Sequence, residues 1–300
     1  IQRLKPDVVV TIDAPGFNFR VAKALQGSGI TLIHYVAPTV WAYKPQRAEK
    51  VAALFDQLIV LLPFEPPYFE KVGIPCTYVG HPVVEETVTG GDPLRFRKTH
   101  NIPKEAPLLC LLPGSRKGEI HRHLPVYSKT MSILKKQFPD LHCLVVTPPD
   151  IADYILDETK MWPVPLVVSS RLEDKAAAYA ASNIALVKSG TAALELSLAE
   201  VPMIVTYRVN PISAWMLRRM LKVKCVNIVN LISGKQIIPE LLQEECRPPK
   251  LAEAVSGLLR YEDMCEKQVA ESREALTQLG LGTPPTPSER AAEVVLNAVK

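Results

Sequence analysis

VKSGTAALELSLAEVPMIV (187–205) reads as one compact βαβ unit. An apolar strand runs into Ser189-Gly190-Thr191, a short helix follows, and Pro202 precedes a second apolar strand. Strands that alternate with helices in this way build a parallel sheet covered on both faces. The same alternation extends in both directions. LLCLL (108–112), LHCLVVT (141–147), LVVSS (166–170), IALVK (184–188) and MIVTY (203–207) form one series of strands. VVVTI (8–12), TLIHYV (31–36), QLIVLL (57–62) and TYVG (77–80) form an earlier one. Asn18 suits the N-cap of a helix that carries Val21, Ala22 and Leu25 on one face. Tyr127, Met131, Leu134 and Phe138 mark the buried face of another, with Pro125 expected in its first turn. The polar, Gly- and Pro-punctuated stretch 85–107 reads as a linker. Beyond about residue 250 the pattern is helical and polar, broken by GLGTPPTPS (280–288). The fold class expected is α/β: two Rossmann-type parallel-sheet domains facing a cleft.

Composition agrees with that class. The chain has 300 residues, 47% hydrophobic and 22% charged, which excludes disordered, collagen-like and coiled-coil chains. No apolar run reaches the roughly 18 residues of a membrane span. The balance of 35 basic to 31 acidic residues, +4, is too mild to argue for nucleic acid. Cysteines 76, 110, 143, 225, 246 and 265 form no C-x-x-C pair and read as reduced core residues of a cytosolic protein. The chain opens at Ile1 with a helix end running into a strand, so a missing N-terminal segment is expected.

Ligands of open α/β sheets bind beyond the carboxyl ends of the strands, and three segments offer chemistry there. In LLPGSRKGEI (111–120), Gly114 and Ser115 let backbone N–H groups approach an anion, and Arg116 offers a planar fork for phosphate. An ordinary βα turn with a solvated arginine is the plainer reading. Ser189, Gly190 and Thr191 open a helix whose N–H groups form an anion site. Glu195, one turn on, is then placed to accept hydrogen bonds from a ribose diol; the plainer reading is a glutamate facing solvent. In VVVTIDAPGFNF (8–19), Asp13 ends a strand before a Pro-Gly turn, suited to a general base or to satisfying local N–H groups. His121 and His123 form only a weak H-x-H pair and read as solvated, so no metal is expected. The segment 212–224 interleaves Trp215, Met216, Met220 and Leu221 with Arg218, Arg219, Lys222 and Lys224, which suits an anionic membrane surface or a packed surface helix. His81 and Pro82 either shape the cleft or serve structure. Trp41, Tyr43, Lys44 and Arg47 form a basic-aromatic loop suited to contact with substrate.

The stretches TIDAPGFNFR (11–20), HYVAPTVWAYKPQR (34–47), LLPFEPPYFEKVGIPCTYVGHP (61–82), LLPGSRKGEI, SGTAALE (189–195) and VNIVNLISGKQIIPELLQEEC (226–246) closely resemble the lipid-A-disaccharide synthases, glycosyltransferases of the GT-B fold. The resemblance implies transfer of a diacylglucosamine from UDP to the 6-hydroxyl of a diacylglucosamine 1-phosphate, giving a β-1,6-linked lipid disaccharide and UDP. It implies no cofactor. It divides the chain into a partial acceptor-side domain (1–100), a donor domain (101–270) and a C-terminal helical segment (271–300) packed on the first domain or a partner. It assigns Asp13 to the acceptor half, Glu195 to the uridine ribose and Asn230 to the donor side. It also implies a cytoplasmic protein at the inner membrane, and dimers that exchange C-terminal segments, with 280–288 as the hinge. Family members begin with a strand and a Gly/Ser-rich loop that nothing in this sequence matches. Two other readings are a different UDP-sugar enzyme, such as a UDP-N-acetylglucosamine 2-epimerase, and a truncated chain that binds UDP without turnover.

Overall fold

The computed structural model describes residues 1–210 and 225–299. The membrane-surface candidate at 212–224 lies outside the described residues. The described chain divides into one unit of residues 1–85 with 276–299, and another of residues 86–210 with 225–275. Among the described residues, no helix is long and apolar enough to cross a membrane.

In the first unit, β1 (Val8–Ile12), β2 (Thr31–Tyr35), β3 (Gln57–Val60) and β4 (Cys76–Tyr78) lie side by side in that order, all parallel. Leu32, Leu58, Val60 and Phe69 pack with Ala22 and Leu25, the buried face of the helix Pro15–Leu25. That helix begins before Asn18. Pro15, with its preset φ, occupies the first turn, and Ala14 is the N-cap with no side-chain bond. Asn18 therefore does not cap the helix, contrary to the sequence expectation. The C-terminal residues join this unit through the end of β4. His81 N–H donates to the Leu279 carbonyl at 2.9 Å, and the Tyr78 hydroxyl donates to the Gln278 carbonyl. Gly80 has φ of 97°, and a Cβ there would lie 2.6 Å from the Leu279 oxygen. The Gly80-His81-Pro82 turn thus serves as a docking point for the chain's own end.

The second unit has six parallel strands in the order β10-β9-β8-β5-β6-β7. These are β5 (Leu108–Leu112), β6 (His142–Val146), β7 (Leu166–Ser169), β8 (Ile184–Lys188), β9 (Met203–Tyr207) and β10 (Glu240–Leu242). All five residues of β5 are buried, because β6 and β8 flank it and helices cover both faces. The helix after β5 spans Lys117–Gln137, so Pro125 sits in its interior rather than in its first turn and removes one N–H from the ladder. Tyr127, Met131 and Leu134 are fully buried on its inner face. Of the six cysteines, Cys110, Cys143 and Cys246 are buried and the other three partly so.

The division between the units falls after Glu85, at the start of the polar stretch 85–107. Beyond it stands Arg97, on the helix Pro93–Thr99 and 7% exposed. Its guanidinium donates to the Ala181 carbonyl at 2.7 and 3.2 Å and to Asn183 Oδ1 at 3.1 Å. It also donates to the carbonyls of Pro103, Lys104 and Ala106 at 2.9, 3.1 and 2.8 Å. One side chain thereby fastens the connecting segment to the second sheet's helices. Arg97→Lys should lower unfolding free energy by about 2 kcal/mol or more in urea titration, since a compact ammonium cannot reach carbonyls spread around a planar fork.

Among the described residues β1 is an edge strand of its sheet, and its Val10 and Ile12 are 38% and 60% exposed, as is Phe17 of the following helix at 64%. An apolar, unpaired strand edge favours association between chains. Val10→Lys together with Ile12→Lys should lower the tendency to self-associate, read as a smaller rise of sedimentation coefficient with concentration, at unchanged far-ultraviolet dichroism.

Candidate functional site

The strand order reverses between β5 and β8, and a cavity of about 670 Å³ opens there, in the second unit. It is lined from the carboxyl ends of four strands: Leu112, Thr147, Ser170 and Lys188 mark them. Crevices form at such reversals because successive loops leave the sheet in opposite directions. Gly114, Ser115, Ser189, Gly190, Thr191 and Glu195, separated by up to 81 positions in sequence (195 − 114), all line it. Gly114 has φ of 124°, and a Cβ there would lie 2.5 Å from Glu119 Oε2, so only glycine lets the loop close over that carboxylate. A Cβ at Gly190 would have its nearest neighbour 3.9 Å away, so packing does not require the glycine. The helix after it, Ala192–Leu198, begins beside the cavity.

Two carboxylates line the cavity, each held by a lysine. Glu119 Oε1 lies 3.3 Å from Lys188 Nζ and 3.5 Å from the Arg116 guanidinium, and Oε2 accepts from Ser115 N–H at 3.3 Å. Burial opposes its charge, but Lys188, then the Ser115 N–H and Arg116, hold its carboxyl below the usual value. Glu195 Oε2 lies 2.8 Å from Lys175 Nζ and accepts from the Tyr179 hydroxyl at 3.0 Å. Arg116 itself is 81% exposed in its side chain and is not one of the lining residues. One wall is apolar: Val146, Pro148, Pro149 and Leu172, with the buried Thr147 Oγ1 lacking a protein partner. Sequence reasoning does not single out Lys175, Tyr179, Lys188 or Thr147. Lys188 directly precedes Ser189 at the end of an apolar strand, and that position is its one local signal. Lys175 and Tyr179 sit in an alanine-rich helix whose relation to Glu195 is purely tertiary.

In the first unit, Asp13 follows β1 with φ of 45°, and Ala14 follows with φ of 43°. Two successive left-handed non-glycine residues store strain, which persists where surrounding bonds overdetermine it. Asn18 Nδ2 supplies those bonds, donating to the Ile12 and Asp13 carbonyls at 2.9 and 2.7 Å, and Asp13 N–H donates to the Tyr35 carbonyl at 2.9 Å. The Asp13 side chain is left exposed. Behind it, His34 is fully buried against Phe55, with Nδ1 2.7 Å from Thr11 Oγ1. Burial pushes its pKa down to about 4 despite the opposing charge of Asp13.

Comparison with known proteins identifies the lineage of these two units. Residues 1–293 match the family described as Lipid-A-disaccharide synthetase. A Lipid-A-disaccharide synthase of Rhodospirillum centenum is 49% identical over 296 residues, covering 98% of this chain and 74% of that protein. The chain belongs to the Lipid-A-disaccharide synthetase family. Among solved structures, the S. aureus MnaA-UDP co-structure superposes with a TM-score of 0.68 at 13% identity, over all of this chain and 78% of that one. The UDP-GlcNAc 2-epimerase from Neisseria meningitidis bound to UDP-GlcNAc gives 0.67 at 14% identity, over 99% and 78%. At such identities these show the fold, which is GT-B-like, with two parallel α/β sheets. The Lipid-A-disaccharide synthetase family is a family of glycosyltransferases.

Two of the segments that carry the resemblance meet inside the first unit. Trp41 of APTVWAY donates its indole N–H to Glu65 Oε1 of LLPFE at 3.2 Å, and Glu65 Oε2 accepts from the Leu61 and Leu62 N–H groups at 3.2 and 2.9 Å. Trp41 is 9% exposed and packs edge-on against Phe64, so it holds the loop rather than offering a free surface. Lys44 and Tyr43 pair with each other instead, the ammonium 5.0 Å from the ring centre. Asn230 is also buried. Its Nδ2 donates to the Ile238 carbonyl and to Glu240 Oε1, both at 2.8 Å, and its Oδ1 accepts from Ile238 N–H at 2.9 Å. It does not line the cavity. His123, expected in solvent, is 1% exposed, with Nδ1 2.8 Å from the Glu119 carbonyl on its own helix. Among the described residues, no group of three or more His, Cys, Asp or Glu could hold a metal ion.

Glu65 is 3% exposed, and burial raises its carboxyl pKa to about 7 against the pull of its three N–H donors. The folded chain therefore retains a proton that the unfolded chain releases nearer pH 4.5, and folding stability contributed by this group falls as pH rises from about 5 to 7. Urea midpoints measured across that window should decline more steeply for the parent than for Glu65→Gln, which has no proton to lose.

Proposed function

We propose that the second unit's cavity holds the uridine diphosphate of the donor in the family's reaction. The observation that carries this reading is the meeting of Ser189–Thr191, the Gly114–Ser115 turn and Glu195 around one cavity at the strand-order reversal. N–H groups of these turns other than those of Ser115 and Ser189, which donate to Glu119 Oε2 and the Thr206 carbonyl, receive the diphosphate, and Gly190 leaves room for its close approach. Glu195 accepts from the ribose diol. The stretch Val146, Pro148 and Pro149 takes the flat base. Lys188 and Arg116 add positive potential where the leaving diphosphate gains charge. Asn230 supports the donor side indirectly, by fixing Glu240 and Ile238.

In transfer, the 6-hydroxyl oxygen of the diacylglucosamine 1-phosphate bonds to the anomeric carbon of the donor sugar. The bond from that carbon to the diphosphate breaks, its electron pair leaves with UDP, and the hydroxyl proton passes to a base. Asp13 is our choice for that base: its carboxylate is exposed, and the strained backbone at its position is held by Asn18. Because both substrates carry acyl chains, we place the working protein at the cytoplasmic face of the inner membrane. The basic, Trp- and Met-bearing stretch 212–224 supports that placement by its composition.

Titration calorimetry with UDP, paired with radiolabel transfer to the lipid acceptor, separates these roles. Glu195→Ala should weaken UDP by about 10- to 150-fold, the usual loss of a hydrogen bond to a charged group. Arg116→Ala should lower turnover more than UDP affinity, since its interaction strengthens as the diphosphate departs. Asp13→Asn should leave UDP affinity near the parent's while turnover drops by about 10²- to 10⁴-fold. Loss of UDP affinity in Asp13→Asn with turnover preserved at saturation would remove Asp13 from the base role.

A further inference from the structure

Glu195 does not stand alone in the cavity. Its two partners lie four residues apart, one turn, on the helix Lys175–Ala181, and both line the same cavity. Lys175 Nζ and the Tyr179 hydroxyl converge on a single carboxylate oxygen, Oε2, at 2.8 and 3.0 Å. Two donors on one oxygen leave Oε1 available to a ligand and remove the rotational freedom that a lone glutamate keeps. The side chains of Lys175 and Glu195 are 19% and 15% exposed, so the ion pair is largely shielded from water. Tyr179 is 1% exposed, and burial, reinforced by the charge of Glu195, drives its hydroxyl pKa upward, which keeps it a donor. A phenylalanine would fill the same core space; the hydroxyl is spent on Glu195.

The helix that carries both donors is itself fixed from the other side. Gly91 lies so close above it that a Cβ would stand 2.2 Å from the Ala177 nitrogen. Glu86, on the same connecting stretch, reaches Lys175 Nζ at 3.5 Å. The donors are thus pinned before any ligand arrives, the condition for a preorganised site.

We propose that Lys175 and Tyr179 are positioning residues that hold the Glu195 carboxylate toward the ribose and so set this protein's preference for nucleotides with an intact ribose diol. The proposal rests on the reading that Glu195 receives that diol, and the test separates the two. UDP and 2′,3′-dideoxy-UDP are titrated into the full chain and into Tyr179→Phe, Lys175→Met and Glu195→Ala, and the ratio of their dissociation constants is read. The parent should favour UDP by about tenfold or more, and Glu195→Ala should bring the ratio close to one. Tyr179→Phe and Lys175→Met should each narrow it to about threefold, chiefly by weakening UDP, with the dideoxy compound bound as before. If both variants keep the parent's ratio while Glu195→Ala loses it, the ribose contact stands and the positioning role falls. The positioning role falls equally if the two variants weaken both nucleotides by one common factor, because the helix would then be packing support only. A Glu195→Ala variant that retains the parent's ratio would overturn the ribose contact and the proposal with it.

Discussion

A parallel sheet that grows in two directions from one central strand constrains everything else in the second unit. The chain leaves β5 toward β6 and β7, then returns to the opposite side of β5 with β8, β9 and β10. The loops beyond β5 and β8 must part, and the parting makes a cavity lined from the carboxyl ends of the strands. Burial of all five residues of β5 holds the two halves of the sheet in register on either side. The Gly114 turn, the Ser189–Thr191 turn and Thr147 are thereby presented at one rim, although nothing local in any of them specifies the others.

Charge inside that rim is balanced pairwise. Glu119 with Lys188 and Glu195 with Lys175 place two carboxylates in a cavity suited to an anion, without leaving either negative charge uncompensated. Shielded carboxylates stripped of such partners would take up protons or repel a diphosphate. The same principle operates away from the cavity with different chemistry. Arg97 meets only carbonyl and amide oxygens, while Glu65 meets only N–H groups. Each of these buried groups joins segments distant in sequence, and each does so because an unsatisfied polar atom there would cost more than ordering the segments around it.

Much of the fold was legible because parallel strands buried on both faces are written as short apolar runs, and nine of the ten strands among the described residues announced themselves that way. The tenth, β10, is three residues beginning with Glu240, too short and too polar at its start to stand out; it exists because β9 offers it an edge. Helix starts were less readable. Asn18 has the composition of a cap, but Pro15 starts the helix earlier and leaves Asn18 free to brace Asp13. Pro125 resembles a first-turn residue, yet burial of Ile120, His123 and Leu124 extends the helix well upstream of it.

The sequence by itself determined the α/β class, the family and the turn residues that line the cavity, since each depends on short stretches whose pattern or spacing is local. Tertiary structure alone decided which of those turns meet, that Asn230 and Trp41 face inward, and that Glu195 is held by Lys175 and Tyr179. Those outcomes depend on the order of strands and on the close approach of separate helices. Distances between side chains sixteen or eighty positions apart carry no signature in either stretch until the sheet brings them together.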